Sequence, residues 1–374
     1  MSADPYDLSH AQLAELLGTE PAYRTSQVRA WLARGVEDPA QMTDLPTAVR
    51  SRLARVLRPP ARLVRRAVAE GGLTHKLLVG SGEDGQTVEA VVMVSASTAG
   101  PSRATVCVST QAGCAMGCPF CATGQAGLRR QLGTGEIVGQ VTLAGRLLAS
   151  GELATPRGGG GRRPERVTHV VFMGMGEPLA NPGPTLAAVR WLVARDGLGL
   201  SARAITVSTV GLVPGIRRLA ALGLPVRLAV SLHAPDDDLR DDLVPINRRY
   251  PLAGLLAECG AYRRVSGRRV TFEYVLIAGV NDSPGHARRL GDLLTGGTGG
   301  HGGPHVRGLR GSHVNLIPMN PTPGVSWRAP PPARRRAFAR VLAQAGVPVT
   351  VRRNRGDIDA ACGQLAAGHR AAAG

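Results

Sequence analysis

The chain has 374 residues, enough for two or three domains or for one barrel with an extension. Hydrophobic residues make up 43% of it and charged residues 19%, which is a globular composition and excludes a disordered or coiled-coil protein. The 45 Lys and Arg against 27 Asp and Glu leave a formal charge of +18, which favours a polyanionic partner such as a nucleic acid. Since every cation except Lys76 is Arg, the alternative is a solvated, Arg-rich surface that reflects genomic composition and has no partner.

No apolar run in the sequence approaches the roughly 20 residues that a membrane-spanning helix needs. The acidic N-terminus also lacks the basic-then-apolar pattern of a secretory signal. We therefore predict a cytoplasmic protein with no membrane partner. In that reducing compartment, the six cysteines need another explanation than structural disulfides.

The N-terminal part of the chain has the pattern of short helices. The predicted helical segments are residues 9–18, 27–35 and 45–57. Ser9 is the predicted N-cap of the first helix, and Gly18 is its predicted stop. This basic module is open to two interpretations, a packing cap or an RNA contact.

After the helices, the apolar residues change to the alternation typical of strands. The predicted strands cover residues 61–70, 73–80 and 87–95. Because turns of the GG and EDG type separate them, they predict an antiparallel extension before the main domain.

From about residue 104, β-branched stretches alternate with helical stretches. The six predicted strands are residues 104–109, 168–174, 204–209, 226–232, 270–277 and 312–318. This alternation argues for a parallel α/β domain, and either an open sheet or a partial barrel fits it. Two Gly-rich tracts, Gly158–Gly161 and residues 295–308, are interpreted as flexible surface insertions.

Cys114, Cys118 and Cys121 are the strongest chemical signal, with the spacing C-x3-C-x2-C just past the first core strand. Thiolates are soft ligands suited to iron–sulfur clusters. Three of them can hold three irons of a cubane and leave the fourth iron open to a substrate or cofactor. A zinc site would normally have a fourth Cys or His, and none is obvious nearby. The remaining alternative is three unrelated buried thiols.

Polar groups follow the later strands, at the end where α/β enzymes place their active sites. In the GMGEP segment, glycines allow a close approach of the backbone to a ligand, and Glu177 can accept hydrogen bonds from an amino group. The corresponding residues after the next strands are Ser208, Ser231, Leu232, His233 and Asn320. Each alone is as readily structural as functional, but together they indicate a ligand site.

The other three cysteines differ in their surroundings. Cys107 lies on the first core strand and Cys259 in a helical stretch, so a small buried hydrophobic residue is the ordinary interpretation of each. Cys362 lies beside Gly363, close to two aspartates and a basic run, which is an unusual place for a core residue.

Six motifs occur in a characteristic order along the chain. They are QAGCAMGCPFCATGQ, VFMGMGEPLAN, VSTVGLVPGIRRLA, LAVSLHAPDD, VNLIPMNPTPG and IDAACGQLA. They closely resemble the motifs of the RlmN-type radical S-adenosylmethionine (SAM) RNA methyltransferases, and the resemblance covers essentially the whole chain.

The resemblance implies a partial (βα)6 barrel of the radical SAM type. The implied segments are an N-terminal helical RNA-binding domain at 1–60, a β extension at 61–99, the radical SAM core at 100–347, and a C-terminal segment at 348–374. Cys114, Cys118 and Cys121 would hold one [4Fe–4S] cluster. The residues matching the family's SAM contacts are Gly176, Glu177, Ser208, Ser231, Leu232, His233 and Asn320.

The resemblance also implies a mechanism in which Cys362 becomes S-methylcysteine. Position 2 of adenine carries no acidic proton, so a simple methyl transfer cannot work there. One SAM would methylate the Cys362 thiolate, and a second would be cleaved reductively to a 5′-deoxyadenosyl radical that takes a hydrogen from that methyl group. The carbon radical adds to adenine, a base removes the ring proton, and Cys107 attacks Cys362 to release the product. Glu89 matches the proton acceptor, although the residues leave open whether Glu89 or Cys107 takes the proton.

The implied substrates are adenosines in the peptidyl-transferase region of 23S ribosomal RNA and in the anticodon loop of transfer RNA. An electron donor such as flavodoxin or ferredoxin is expected, and a monomer. Two alternatives stay open: methylation at adenine C8, which confers ribosomal antibiotic resistance, and a non-catalytic iron–sulfur RNA-binding protein. A binding protein has no use for the Cys362 thiol, so that residue discriminates between binding and catalysis.

Overall fold

The computed structural model describes residues 4–81, 84–95, 102–153, 164–296, 309–322, 324–352 and 364–365. Gly158–Gly161, most of the second Gly-rich tract and Cys362 lie outside the described residues. The chain divides into two compact units. Unit 1 comprises Met1–Ala112, Gln131–Gly174 and Gly183–Ile205, and unit 2 comprises Gly113–Arg130, Met175–Pro182 and Thr206–Gly374. The four segments proposed from the sequence were defined by sequence motifs, whereas these two units are defined by contacts. The four-segment division therefore stays a prediction.

The described α-helices are α1 (His10–Leu17), α2 (Tyr23–Ala33), α3 (Thr47–Val56), α4 (Ala122–Gln125), α5 (Thr134–Ala149), α6 (Pro182–Val193), α7 (Val213–Ala220), α8 (Asp237–Leu243), α9 (Leu252–Ser266), α10 (Pro284–Thr295) and α11 (Pro332–Gln344). The described strands are β1 (Ala61–Ala69), β2 (Thr74–Ser81), β3 (Thr87–Ser95), β4 (Arg103–Cys107), β5 (Gln111–Gly113), β6 (Leu128–Gln131), β7 (His169–Phe172), β8 (Ile205–Thr209), β9 (Arg227–Ser231), β10 (Thr271–Leu276), β11 (His313–Pro318) and β12 (Val349–Val351). In the described part of the chain, no helix is both long enough and apolar enough to cross a membrane.

The predicted N-terminal helices are confirmed, and so are the ends of the first one. The Ser9 hydroxyl accepts the Gln12 N–H, and the Gln12 side chain accepts the Ser9 N–H, which completes a capping box. Gly18 ends α1 with a positive φ of 66°, a conformation that glycine adopts without strain. The apolar faces of α1 and α2 are buried through Leu13, Leu17, Val28 and Leu32.

In unit 1, the predicted antiparallel extension is confirmed as the run β1-β2-β3. The extension continues into the core, because β3 also pairs antiparallel with β4 and places Val91 opposite Cys107. β4 then pairs parallel with β7. The change from antiparallel to parallel pairing therefore falls at β4, the first strand of the α/β pattern.

In unit 2, β8, β9, β10, β11 and β12 pair in parallel and in chain order. Helices connect successive strands, so the predicted parallel α/β core is confirmed. Val230, Phe272 and Val314 lie side by side in the ladder and are fully buried. The carboxyl ends of parallel strands share one edge of the sheet, so the residues that follow them gather there. The three-residue β12 is too short to be visible in the sequence.

A buried network around Glu37 joins the N-terminal segment of unit 1 to α5. Glu37 is 5% exposed, and its carboxylate accepts the Tyr6 hydroxyl at 2.9 Å. The Thr142 hydroxyl donates to the same oxygen at 3.0 Å, and the Arg146 guanidinium lies 2.9 Å from the other oxygen. A buried carboxylate needs such partners, because an unsatisfied one is costly to keep away from water.

Replacing Tyr6 by Phe removes one donor from this carboxylate and keeps the ring. We expect a loss of about 1–3 kcal/mol in the free energy of unfolding, measured by urea denaturation. Tyr23→Phe is the matched control, because Tyr23 is 56% exposed. Its unfolding free energy should stay within about 0.5 kcal/mol of the parent. Equal effects at the two positions would contradict the stabilising role of this network.

Candidate functional site

The cysteine loop of unit 2 is held at its base by the β5–β6 strand pair, which the sequence did not reveal. The Cys114 N–H donates to the Gly127 carbonyl at 2.9 Å and closes the loop. Gly113 has a φ of +81°, and a Cβ at this position would overlap the Gly127 carbonyl oxygen. Only glycine therefore allows the two strands to approach closely enough to close the loop.

The three thiols share one buried environment. Cys114 and Cys118 are 8% and 5% exposed, and Cys121 is half-buried. Burial, with a smaller contribution from the nearby Cys121, raises the pKa of Cys114 to about 11. Burial, followed by the proximity of Cys121 and Cys114, also raises the pKa of Cys118 well above its ordinary value. Without a cation the Cys114 and Cys118 thiols are neutral, whereas a bound metal deprotonates coordinating thiols.

This donor set fits an iron–sulfur cluster better than a single ion. Among the described residues, no three Cys, His, Asp or Glu side chains converge to hold one metal ion. In a cubane cluster each thiolate binds a different iron, so the sulfur atoms do not need to converge. The surroundings are apolar, since Cys118 packs in a cluster with Val275, Ile277 and Met319. Such a shell limits the access of water to a bound cluster.

Glu177, in the GMGEP loop, is fully buried, and its carboxylate binds the backbone. One oxygen accepts the Leu179 N–H at 3.0 Å, and the other accepts the Val210 N–H at 2.8 Å. Burial raises the pKa of Glu177 to about 7, against the lowering effect of these hydrogen bonds. The side chain therefore joins the loop after β7 to the loop after β8. Each carboxylate oxygen of Glu177 thus already accepts one backbone hydrogen bond. A bound amino group could donate only to the remaining lone pairs of these oxygens.

His233 follows β9 with a φ of 63°, the positive φ that non-glycine residues rarely adopt. Its Nδ1 accepts the Val275 N–H at 3.0 Å, so the ring proton lies on Nε2. Burial lowers the pKa of His233 to about 3, and the charge of Arg240 adds to this shift. The neutral ring contacts the Phe120 ring edge-on, with centroids 4.8 Å apart. His233 is thus a fixed Nε2–H donor beside the cysteine loop.

Arg240 is fully buried and binds the ends of two strands. Its Nε donates to the Leu232 carbonyl at 3.0 Å, and one terminal nitrogen donates to the carbonyls of Val210 and Ser231 at 2.7 and 3.0 Å. The other terminal nitrogen donates to the Asn247 side chain at 2.6 Å. Burial lowers the pKa of Arg240 to about 10, which still leaves the group charged at neutral pH. The sequence analysis missed this residue, because no local pattern marks it.

Unit 2 contains all the predicted cofactor and cluster residues. They are Cys114, Cys118, Cys121, Gly176, Glu177, Ser208, Ser231, Leu232, His233 and Asn320. The segment around Asn320 adjoins the cysteine loop, since the Thr322 hydroxyl donates to the Phe120 carbonyl at 3.2 Å. The Thr123 hydroxyl of α4 donates to the Leu365 carbonyl at 2.8 Å. Gln364 and Leu365 are the described residues nearest in sequence to Cys362.

The two other predicted catalytic residues, Glu89 and Cys107, are buried in unit 1. The Glu89 carboxylate lies 3.2 Å from the Lys76 ammonium, and its carbonyl accepts the Ser109 hydroxyl at 2.6 Å. Lys76 is the only lysine of the chain. A single lysine among so many arginines is visible in the sequence. Only the pairing of β2 with β3 shows that Glu89 is the partner of this lysine.

Comparison with known proteins gives consistent findings. Residues 161–290 match the family model of the Radical SAM superfamily. A Frankia casuarinae protein named "Probable dual-specificity RNA methyltransferase RlmN" is 54% identical over 355 residues, covering 93% of this chain and 78% of that protein. A protein of the same name from Salinispora tropica is 51% identical over 368 residues, covering 97% of this chain and 92% of that protein. A crystal structure of a radical SAM methyltransferase from Sphaerobacter thermophilus has a TM-score of 0.84 and 46% identity, covering 98% of this chain and 99% of that one. The structural likeness confirms the predicted fold class.

Gly113→Ala tests the closure of the cysteine loop. We expect the variant to lose most of its capacity for iron, because the new Cβ overlaps the Gly127 carbonyl and displaces Cys114. Gly117→Ala is the matched control: Gly117 also has a positive φ, of 67°, but its Cβ would meet nothing within 4 Å. Iron and sulfide per chain after anaerobic reconstitution are the measurement. A normal iron content in Gly113→Ala would show that the loop does not depend on this contact.

Lys76→Met tests the buried ion pair of unit 1. Removing the ammonium leaves the Glu89 carboxylate without this partner, and we expect a loss of about 3 kcal/mol or more in the free energy of unfolding. The double variant Lys76→Met, Glu89→Gln should recover most of that loss, because it removes both charges. Urea denaturation of the two single variants and the double variant measures the coupling. Additive losses would show that the two charges do not interact.

Proposed function

Because the chain belongs to the family of RlmN-type dual-specificity RNA methyltransferases, which are radical SAM enzymes, we propose that it methylates C2 of adenosine in 23S ribosomal RNA and in transfer RNA. The observation that carries this proposal is the 51% identity to the Salinispora tropica relative over 97% of this chain and 92% of that protein. This match covers nearly the full length of both chains.

Membership of the radical SAM family implies an iron–sulfur cluster and SAM. We assign the cluster as one [4Fe–4S] held by Cys114, Cys118 and Cys121, and its fourth iron open to SAM. When bound, the cluster supplies the electron that cleaves SAM to a 5′-deoxyadenosyl radical. The burial of Cys114 and Cys118 and the apolar surroundings of the loop support this assignment.

The loops at the carboxyl ends of the unit 2 strands would bind SAM. The contacts are Gly176, Glu177, Ser208, Ser231, Leu232, His233 and Asn320. In this scheme Glu177 and Arg240 hold the loops in position, since their side chains bind the backbone at Val210, Ser231 and Leu232. His233 offers its Nε2–H as a donor at a fixed place. Such preorganised donors cost little to reorganise when the ligand reacts.

The reaction itself would use three further residues. Cys362 accepts a methyl group on sulfur and carries it to adenine. Glu89 accepts the ring proton from C2, and its buried carboxylate lies 3.2 Å from the Lys76 ammonium. The adduct radical would return one electron to the cluster. Cys107 would then attack the sulfur of Cys362, so that a disulfide forms, the bond between that sulfur and the methylene carbon breaks, and the carbon takes up a proton to give the methylated base.

The electron would come from a small redox protein such as flavodoxin or ferredoxin, and the enzyme would act as a monomer. The RNA substrates place the reaction in the cytoplasm. The formal charge of +18 supports an RNA partner, since cationic side chains bind the phosphate backbone.

Mass spectrometry of nucleosides tests the function. The reconstituted protein is incubated anaerobically with SAM, a reductant and unmodified ribosomal or transfer RNA. We expect 2-methyladenosine in both RNAs. Cys362→Ala should abolish this product and keep the iron content, whereas Cys259→Ala, at a buried cysteine of α9, should keep both. The appearance of 8-methyladenosine, or of neither product with an intact cluster, would contradict the proposal.

A further inference from the structure

The basic residues of this chain are unevenly placed. Residues 45–69 contain seven arginines and no acidic residue. They are Arg50, Arg52, Arg55, Arg58, Arg62, Arg65 and Arg66. This basic segment runs from α3 into β1 within unit 1. Such a run of one sign is the electrostatic pattern of a surface that binds a polyanion.

The arginines of the basic segment also lack carboxylate partners. Within the described part of the chain, none of the seven forms an ion pair. Elsewhere, arginines pair with acids, as in Arg29 with Asp196 at 2.6 Å and Arg217 with Glu258 at 2.7 Å. Unpaired guanidinium groups keep their full charge available to a ligand, and a guanidinium suits the geometry of a phosphate.

The strand β1 presents three of these arginines at the end of a sheet. β1 is the first strand in the sheet order and pairs with β2. Arg62, Arg65 and Arg66 are exposed, and at about 3.3 Å per residue their backbone positions span about 13 Å along the strand. Arg66 donates to the Glu152 carbonyl at 2.8 Å, which partly orients its side chain.

Edge protection is the competing explanation for these charges. Val64 and Val68 on the same strand are 48% and 47% exposed, and charged neighbours on an edge strand discourage pairing with another chain. Protection of the β1 edge does not require the whole basic segment, which begins before α3, to lack acidic residues. It also predicts aggregation, and not weaker RNA binding, when the arginines are removed.

A cavity of about 530 Å³ beside β1 helps to locate the ligand. Arg62 and Arg146 line it, but so do Glu37 and Asp38, and Arg146 is already paired with Glu37. These acids disfavour a phosphate inside the cavity. The outer surface of β1 is therefore the more favourable place for phosphates.

We propose that the exposed arginines of β1 bind the phosphate backbone of the RNA substrate. This role extends RNA docking from the N-terminal helices into the β extension, for which the sequence analysis predicted no RNA contact. It rests on the proposed function in taking RNA as the partner.

The test compares two triple variants with the same change of charge. Arg62→Ser, Arg65→Ser, Arg66→Ser removes the β1 arginines, and Arg264→Ser, Arg336→Ser, Arg340→Ser removes three exposed, unpaired arginines of unit 2. The probes are a labelled, unmodified transfer RNA transcript and a fragment of 23S ribosomal RNA. Their affinities are measured by fluorescence anisotropy at several salt concentrations.

We expect the β1 variant to bind both RNAs at least about tenfold more weakly, with the slope of log K against log salt reduced by about 2–3. The unit 2 variant should keep the parental slope. RNA-independent cleavage of SAM should be the same in both variants, because the cluster and SAM loops are unchanged. Equal slopes in the two variants would overturn the proposal.

Hydrogen exchange of the parental protein keeps the proposal testable even if the β1 variant aggregates. RNA should slow exchange in the peptide covering residues 61–69, and unchanged exchange there would overturn the proposal. The two proposals fail in different ways. Parental protein that binds RNA through β1 but forms no 2-methyladenosine contradicts the proposed function alone. Parental protein that methylates RNA while the two triple variants bind alike contradicts the β1 proposal alone.

Discussion

The buried guanidinium of Arg240 is the interaction on which the unit 2 site depends. Parallel strands end in carbonyls that the ladder does not satisfy, and buried carbonyls need partners. Arg240 has five donors in a fixed fork, and it satisfies the carbonyls of Val210, Ser231 and Leu232 together. The Val210 N–H is in turn held by Glu177. One cation therefore fixes the loops after β8 and β9, and through Glu177 the loop after β7.

The cysteine loop shows a related dependence on burial. Burial raises the pKa of Cys114 to about 11 and that of Cys118 higher still, so without a metal these two thiols are neutral in apolar surroundings. Metal binding requires thiolates and therefore releases protons, which makes cluster assembly favourable at higher pH. The backbone closes the cysteine loop without a metal, because Gly113 can approach Gly127 closely.

Charge is used in two distinct ways in unit 1. The buried carboxylates are paired: Glu37 with Arg146, and Glu89 of β3 with Lys76 of the neighbouring β2. The arginines of the basic segment, in contrast, form no ion pair with any described residue, which leaves their charges available to a polyanion. The net charge of +18 alone does not distinguish these two uses, because only the partners of each arginine reveal which charges are already neutralised.

The sequence by itself determined the elements and the chemistry of the cysteine loop. The six core strands, the cap at Ser9 and the C-x3-C-x2-C spacing were all predictable, because periodicity, capping and ligand spacing are local properties of the chain. The tertiary structure alone decided the partners: Lys76 beside Glu89, Arg240 beneath the strand ends, and the Glu177 carboxylate bound to backbone rather than left free. It also decided the closure of the cysteine loop by β5 and β6, which are too short to show a pattern. These contacts join residues far apart in the chain, and no local pattern encodes which distant group will satisfy a buried charge or carbonyl.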